Sequence, residues 1–425
     1  MRSCTLATLC LASHQPCCAL PTCRGRQPRQ IKRQESRMSS RYQVAGRAVM
    51  ARAQRNIENM AARLTSLHPS KSGNNYDNEA SKQMEATMAK KWKWGILFSG
   101  DNLTLNETVA YARDAEDAGA DSLWTTELGR DAFLPLAAIA AECNKVRLGT
   151  GVATYARPPA MTEISAMSMA EITDERFILG LGTAPPMWNE NWHQLTVDKP
   201  ARRMREYVEA IRRMWTSSPA NSIDYDGEYI KIKEYRRIMT MPCSPPPIYL
   251  AAVQTAMLQL SGAIADGVIL NLLNTPHYFT DIVHPNLKKG MSKTGRSPSD
   301  IEICSLKVCS VDGDRERARR RARPPIAFYS NLPYFDQVLD PAGFTKEKMA
   351  IRAAMAENNV EKMLDLVTDD MIDTLVLAGT PDEVRKKLTP FEGLFETLIL
   401  YCPMPWLEPQ ESKDNHAAII ETFAD

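Results

Sequence analysis

One carboxylate in this 425-residue sequence stands where it could take part in catalysis. Glu127 lies in LWTTELGRD, at the end of a run of strand-forming residues and close to an aromatic side chain. In a desolvated pocket such a group has a raised pKa and can protonate a substrate or hydrogen-bond a cofactor heteroatom. An ion pair with Arg130 is the competing interpretation. The neighbouring Asp131 is better suited to capping the helix that follows.

The sequence lacks the motifs of several other chemistries. Beyond residue 91 its histidines are His193, His277, His284 and His416, with no HxH or HExxH, so a histidine-held catalytic zinc is not expected. A G-x-S-x-G elbow and a G-x-G-x-x-G dinucleotide motif are also missing. His193, in WNENWHQL, is expected to be a loop histidine, with a position at a pocket mouth as the alternative.

A repeated unit from residue 92 onward predicts how these residues are positioned. Each unit is a short apolar, strand-forming run followed by an amphipathic helical pattern, which indicates parallel strands joined by crossover helices. Eight strands are predicted, at 92–98, 121–126, 146–153, 176–182, 246–253, 267–273, 301–311 and 395–403. The count predicts an α/β fold, a TIM (β/α)8 barrel with insertions. An open doubly wound sheet is the alternative.

Two insertions interrupt the repeat. Asp226-Gly227 between alternating strand formers predicts a hairpin over 223–235. A long, largely helical stretch is predicted over about 312–392, with the basic run 315–325 near its start. We interpret that run as a solvated helix face rather than a phosphate clamp.

The reactive end of such a barrel is built from the carboxyl ends of its strands. The residues predicted there are small, mostly neutral and rich in glycine, which suits a flat ligand lying on backbone better than a metal. They are Ser99-Gly100-Asp101, Thr126-Glu127, Gly151-Val152, Gly182-Thr183, Val253-Gln254-Thr255, Asn271 and Cys402. Gly180 and Gly182 have two explanations: they bring backbone close to a ligand, or they allow close packing of their strand.

The first part of the chain differs in composition from the rest. Residues 1–83 hold 14 Lys and Arg against 4 Asp and Glu, whereas residues 84–425 hold 38 against 47. We therefore divide the chain into a disordered basic leader, 1–87, and a folded domain, 88–425. The leader is a transit peptide, an upstream extension from a misassigned start before Met84 or Met88, or a basic functional arm.

Composition also limits the partners and the compartment. No apolar run reaches the length of a membrane span, and the acidic domain offers no nucleic-acid surface, so we expect a soluble protein that binds neither membrane nor nucleic acid. The scattered cysteines without CxxC pairs indicate reduced core residues of an intracellular protein. The predicted location is cytoplasmic, or a mitochondrion or plastid if the leader is a transit peptide.

The run from Ser122 to Thr183, SLWTTELGRDAFLPLAAIAAECNKVRLGTG and onward, resembles the luciferase-like flavin oxidoreductases. Within that superfamily the chain most resembles the branch that uses the deazaflavin F420, the methylenetetrahydromethanopterin-reductase-like proteins. The segments 246–271 and 367–388 continue the likeness, which covers about 92 to 403.

The resemblance implies a barrel that binds F420 or FMN and moves a hydride between that cofactor and a small organic substrate. It places a non-prolyl cis peptide at Gly151-Val152, against the cofactor ring, and the cofactor phosphate near the loop after strand five. The cofactor-binding residues expected from these considerations are Gly151, Val152, Gly182, Thr183, Val253, Gln254, Thr255, Ala256 and Asn271. Relatives of this kind commonly form homodimers.

The chain departs from the family pattern at three places. Gln254-Thr255-Ala256 stands where many relatives have Gly-Pro-Lys, Leu128 follows Glu127 in place of a histidine, and Leu97 replaces an acidic residue on strand one. Three functions therefore stay open: a hydride-transferring oxidoreductase, an FMN-dependent monooxygenase that uses O2, and a degenerate barrel that only binds a ligand or partner.

Overall fold

The computed structural model of this protein describes residues 92–100, 102–196, 198–404 and 406–424. The predictions made for the leader, 1–87, lie outside the described residues, as does the strand-end residue Asp101.

Eight parallel strands close into a barrel, which confirms the TIM-barrel prediction and excludes the open sheet. Each strand pairs with the next, and the last pairs with the first over Lys93–Leu97 and Thr397–Tyr401. The strands are β1 (Lys93–Phe98), β2 (Ser122–Thr125), β3 (Arg147–Thr150), β4 (Phe177–Gly182), β5 (Ile248–Ala252), β6 (Gly267–Leu270), β7 (Glu302–Val311) and β8 (Thr397–Tyr401).

Helices surround the barrel and cover the outer faces of its strands. They span Leu105–Asp117, Leu134–Ala140, Pro159–Ile172, Pro186–His193, Pro200–Trp215, Thr255–Ile264, His284–Ser292, Arg315–Ser330, Asp336–Leu339, Thr345–Ala356, Val360–Asp365, Asp369–Leu375, Pro381–Lys387 and Pro409–Phe423. The first begins at a capping box, in which Glu107 and Thr104 each accept a hydrogen bond from the other's backbone amide. Because both of its faces are covered, β4 is buried along its whole length.

The predicted insertions are present, with one addition. The hairpin pairs Ile223–Asp226 with Lys231–Tyr235 in antiparallel register, as predicted. Two residues, Ala153–Thr154, extend the barrel beyond β3 by pairing with the end of β4. The long helical stretch also contains a short strand, Leu377–Gly379, that pairs with β7 and was not predicted.

The interpretation of 315–325 as a solvated face is wrong for two of its arginines. The side chains of Arg319 and Arg321 are only 5% and 2% exposed, inside the helix that covers β7. Arg319 pairs with Asp373 at 2.6 Å, and Arg321 pairs with Asp312 at 2.9 Å. A buried guanidinium requires such a partner. Asp373 lies in a later helix, whereas Asp312 lies in the turn just before the arginine helix.

An ion-pair network closes the end of the barrel where the strands begin. The Glu302 carboxylate accepts hydrogen bonds from both Nη atoms of Arg147, at 2.9 and 3.0 Å, and from the Tyr249 hydroxyl at 2.6 Å. The Thr397 hydroxyl donates to the same carboxylate, and Arg147 also pairs with Asp121. Strands β3, β5, β7 and β8 are thereby joined through one acidic group.

Among the helices that the structure describes, none combines the length and the hydrophobicity that crossing a bilayer requires.

The Glu302 network predicts a pH-dependent contribution to stability. Burial raises the pKa of Glu302, but the Arg147 ion pair and the hydroxyl donors outweigh burial and lower that pKa from 4.5 to about 2. The carboxylate therefore stabilises the fold above pH 4.5, by about 3 kcal/mol, and this contribution is lost as the pH falls toward 2. Glu302→Gln is expected to lower the free energy of unfolding by about that amount at pH 7.

Urea denaturation at pH 7 and pH 3 measures this difference. The gap between wild type and Glu302→Gln should shrink at pH 3, while Glu421→Gln, at an exposed carboxylate, should follow wild type at both pH values. A gap of equal size at both pH values would contradict the ion-pair account.

Candidate active site

The predicted strand-end residues come together at one rim of the barrel. Glu127 follows β2, Gly151-Val152 follows β3, Gly182 ends β4, and Val253 and Asn271 follow β5 and β6. Contacts link neighbouring positions along this rim. The Tyr278 hydroxyl, for example, donates to the Val253 carbonyl. The structure therefore gathers the predicted strand-end residues at one end of the barrel, and the binding of a cofactor there stays a prediction.

The segment after β3 forms the centre of the rim. The Gly151-Val152 peptide bond is cis, as the resemblance implied. The Gly151 amide donates to the Thr125 carbonyl at 2.6 Å, and the Val152 carbonyl accepts from the Glu127 amide at 3.1 Å. Gly151 and Val152, which we call the bulge, are therefore hydrogen-bonded to the segment that ends β2 on both sides of the cis bond.

Glu127 holds the same segment through its side chain. One carboxylate oxygen accepts from the Thr154 amide at 2.8 Å, and the other accepts from Arg157 Nη1 at 2.7 Å. The ion pair weighed for Glu127 thus exists, but its partner is Arg157 and not Arg130, whose guanidinium donates to the Leu103 carbonyl. Because both oxygens are engaged, Glu127 positions the bulge, and a further role as a proton donor stays a prediction.

Asp131 completes this cluster. It accepts from the Phe133 and Leu134 amides at 2.7 and 2.9 Å, which confirms its predicted place at the start of a helix. Burial raises the pKa of Asp131, but these amides and Arg157 outweigh burial and lower it. Burial likewise lowers the pKa of Arg157, yet its two carboxylate partners raise it overall, so the guanidinium stays charged.

The two glycines of β4 are explained by close packing. A Cβ on Gly180 would lie 1.8 Å from the Thr150 carbonyl oxygen, and a Cβ on Gly182 would lie 2.3 Å from Val152 Cγ2. Glycine is therefore required at position 180 because the end of β3 lies directly against β4, and at position 182 because Val152 does. A direct contact between the Gly182 backbone and a cofactor stays a prediction.

Several buried polar atoms on this rim lack a hydrogen-bond partner among the described residues. They are Thr154 Oγ1, Tyr155 Oη and Asn189 Oδ1. Thr154 pairs with Gly182, and Asn189 Nδ2 donates to the Thr183 carbonyl at 2.6 Å, so two of these residues sit beside the bulge. Buried polar atoms without partners are costly, and a ligand with polar edges would satisfy them.

The loop after β5 leads directly into the helix Thr255–Ile264. Gln254, Thr255 and Ala256 are exposed, and no side chain caps the first amides of the helix. Such a helix start favours an anion even without the lysine of the family pattern. The assignment of Val253, Gln254, Thr255 and Ala256 to a phosphate site stays a prediction.

Two further residues considered from the sequence have a different setting. Cys402 directly follows β8, but its Sγ lies 3.3 Å from Asn415 Nδ2 of the closing helix. His193 is the exposed last residue of the helix Pro186–His193 and not a loop residue, and its alternative place at a pocket mouth stays a prediction. In the part of the chain that the structure describes, no group of three or more His, Cys, Asp or Glu side chains could hold a metal ion.

Sequence reasoning missed Thr154, Arg157 and Asn189. The first two lie in ATYARPP, directly after the third predicted strand, so their place in the chain was a usable signal. Asn189 lies in the helix after β4, where the sequence gives no sign that its amide turns back to the strand end.

Comparison with known proteins gives a consistent family assignment. The sequence model of the luciferase-like monooxygenases matches residues 93–395. A 5,10-methylenetetrahydromethanopterin reductase of Archaeoglobus fulgidus is 30% identical over 305 residues, which is 70% of this chain and 89% of that protein.

Solved structures share the fold. The coenzyme F420-dependent tetrahydromethanopterin reductase of Methanopyrus kandleri superposes with a TM-score of 0.65 at 24% identity, covering 79% of this chain and all of that one. An F420-dependent secondary alcohol dehydrogenase, solved with an F420-acetone adduct, gives 0.62 at 18% identity over the same shares.

The packing of the bulge against β4 predicts a specific steric coupling. Gly182→Ala should lower the free energy of unfolding by about 1–3 kcal/mol, because the new methyl group overlaps Val152. Adding Val152→Ala should recover part of that loss by removing the clashing atoms. Urea denaturation measures both changes, and Gly313→Ala, where a Cβ meets nothing within 4 Å, serves as the control. A double variant less stable than Gly182→Ala alone would contradict this coupling.

Proposed function

The chain belongs to the luciferase-like monooxygenase family, and from that premise we propose that it is an oxidoreductase that binds F420 or FMN at the carboxyl rim of its barrel. The bound cofactor supplies or accepts the hydride that is exchanged with a small organic substrate. The observation that carries the proposal is the Gly151-Val152 backbone, held by hydrogen bonds to the end of β2 and packed against β4, with the buried, unpartnered hydroxyls of Thr154 and Tyr155 beside it. This combination fits a planar, polar-edged ring.

We assign different parts of the cofactor to different residues of the rim. Gly151, Val152 and Thr183 offer backbone to the face of a ring. The unpartnered Thr154 hydroxyl is free to hydrogen-bond its polar edge. Asn271, whose side chain also interacts with the Tyr278 hydroxyl, stays a predicted partner of that edge. The helix start at Gln254-Thr255-Ala256 would hold the phosphate-bearing tail.

Glu127 is proposed to act as an acid or as a hydrogen-bond partner in this site. Its contacts favour the second role, because Thr154 and Arg157 already occupy both carboxylate oxygens. Through them it fixes the bulge on which the ring would rest.

Two other functions retain support. The name of the matching family favours a monooxygenase, for which we propose FMN as the cofactor and O2 as the oxidant. A barrel that binds without turnover is supported by the altered loop after β5, which lacks the usual lysine.

The name of the Archaeoglobus fulgidus relative favours a reductase reaction, and the name of the Methanopyrus kandleri enzyme favours F420 as the cofactor.

Titration of the purified protein with F420 and with FMN, followed by absorbance, tests the proposal. We expect one of the two to bind in the micromolar range or tighter, and reduced cofactor to lose its hydride to an added acceptor substrate. Binding of neither cofactor would overturn both oxidoreductase proposals, whereas binding without turnover would favour the degenerate barrel.

Variants of Glu127 refine this experiment. Glu127→Gln should weaken cofactor binding if Glu127 acts by positioning the bulge, and should slow turnover by about a hundredfold at unchanged binding if it acts as an acid. Glu142→Gln, at an exposed surface carboxylate, is the matched control.

We propose that the protein forms a homodimer through the helices Leu134–Ala140 and Pro159–Ile172. Leu134, Met161, Ile164 and Ile172 on these helices are 70%, 51%, 49% and 53% exposed, and apolar exposure on this scale marks an association surface. Ile164→Glu combined with Leu134→Glu should convert a dimer into a monomer in light scattering after size exclusion. Val360→Glu, on another helix, should not change the mass. A monomeric wild type would contradict the dimer.

The cellular compartment stays a prediction: cytoplasm, or mitochondrion or plastid if the leader is a transit peptide.

A further inference from the structure

The start of the helix Pro200–Trp215 carries positive charge, which is unfavourable at a helix N-terminus. Lys199, Arg202 and Arg203 crowd its first turn, where no acidic side chain is present. The exposed amides at a helix N-terminus already form a positive pole, so cations there are disfavoured unless an anion accompanies them. The helix follows β4 and therefore begins at the same rim as the candidate active site.

Two of the three cations have a protein partner and the third does not. Glu228 pairs with Arg202 at 2.6 Å and lies 3.7 Å from Lys199. Arg203 makes no ion pair with any described residue, and its Nε is buried without a hydrogen-bond partner. Its guanidinium carbon lies 4.9 Å from the ring centroid of Tyr229 and 5.8 Å from that of Tyr155.

Tyr155 adds an unpartnered polar atom beside Arg203. It is 5% exposed, and its hydroxyl is buried with no partner among the described residues. Its amide donates to the Gly182 carbonyl at 3.2 Å, which fixes it next to the bulge. Burial raises the pKa of Tyr155 while the charge of Arg203 lowers it, so the two groups interact electrostatically.

The carboxylates nearby are engaged elsewhere. Asp198 accepts from the Tyr229 hydroxyl at 3.1 Å, and Glu206 accepts from the Tyr229 and Ile230 amides at 2.7 and 3.2 Å. Neither pairs with Arg203. Arg203 is therefore a half-buried guanidinium, with its Nε buried and unpartnered, that forms no ion pair with any described carboxylate. A guanidinium in this position can still bind an anion through charge-assisted hydrogen bonds.

We propose that Arg203 and Tyr155 form a subsite for an oxyanion, a phosphate or carboxylate group of a molecule held at this rim. Arg203 donates to the anion through its free guanidinium nitrogens, and Tyr155 donates through its hydroxyl. The anion belongs either to the cofactor or to the substrate, and in this respect the inference rests on the proposed function. Arg203 would then supply the positive charge that is missing after β5.

Binding of inorganic phosphate to the cofactor-free protein tests the subsite itself. Isothermal titration of the full chain should detect phosphate binding in wild type and in Arg202→Gln, the matched control. Arg203→Gln should weaken it by about tenfold to a hundredfold, and Tyr155→Phe by about tenfold. Thermal denaturation confirms that each variant is folded. Equal phosphate affinity in wild type and Arg203→Gln, or no binding in wild type, would overturn the proposal.

Comparison of FMN with riboflavin, which lacks the phosphate, identifies the source of the anion. If the subsite holds the cofactor phosphate, Arg203→Gln weakens FMN about tenfold or more and leaves riboflavin unchanged. If it holds a substrate anion, both flavins bind the variant as they bind wild type, and phosphate still binds the wild-type protein loaded with FMN. Failure of both flavins and F420 to bind would remove the proposed function while the phosphate titration still decides the subsite.

Discussion

Closure of eight parallel strands is the constraint from which the rest of the molecule follows. Hydrogen bonds between β8 and β1 complete the cylinder. Because all eight strands are parallel, their carboxyl ends lie at the same rim. The opposite end is joined by Glu302 and Arg147, and the interior holds large side chains such as Trp124 and Tyr249. The rim is therefore the place where loops can vary and where backbone is left available for a ligand.

The rim of this barrel is organised by a few strong contacts. Glu127 and Arg157 hold the bulge after β3, and the glycines of β4 let that bulge approach within van der Waals distance. The result is a rigid surface of backbone, with buried polar atoms around it that no described residue satisfies. Arg203, at the neighbouring helix start, forms no ion pair with a described residue. Together these features support the proposal that the rim binds a flat molecule that carries an anionic group.

Much of the fold could be predicted because each barrel strand is buried on both faces. Such a strand is a short, continuous apolar run between two helical patterns, and this pattern can be recognised without knowing its neighbours in space. The short strand Leu377–Gly379 was missed since three residues leave no period to detect. The buried arginines 319 and 321 were misread because each has an acidic partner far along the chain, Asp373 for Arg319 and Glu411 for Arg321. The same reason explains why Arg157, thirty residues from Glu127, was not recognised as its partner. The cis bond at Gly151-Val152 came from the family resemblance and not from composition or periodicity.

A crystal structure of the protein grown with F420 or FMN tests the central claim most directly. We expect the ring against the Gly151-Val152 backbone, with its polar edge hydrogen-bonded to the Thr154 hydroxyl or the Asn271 amide. Density for the ring elsewhere on the molecule, or a rim closed by the protein's own side chains, would contradict it.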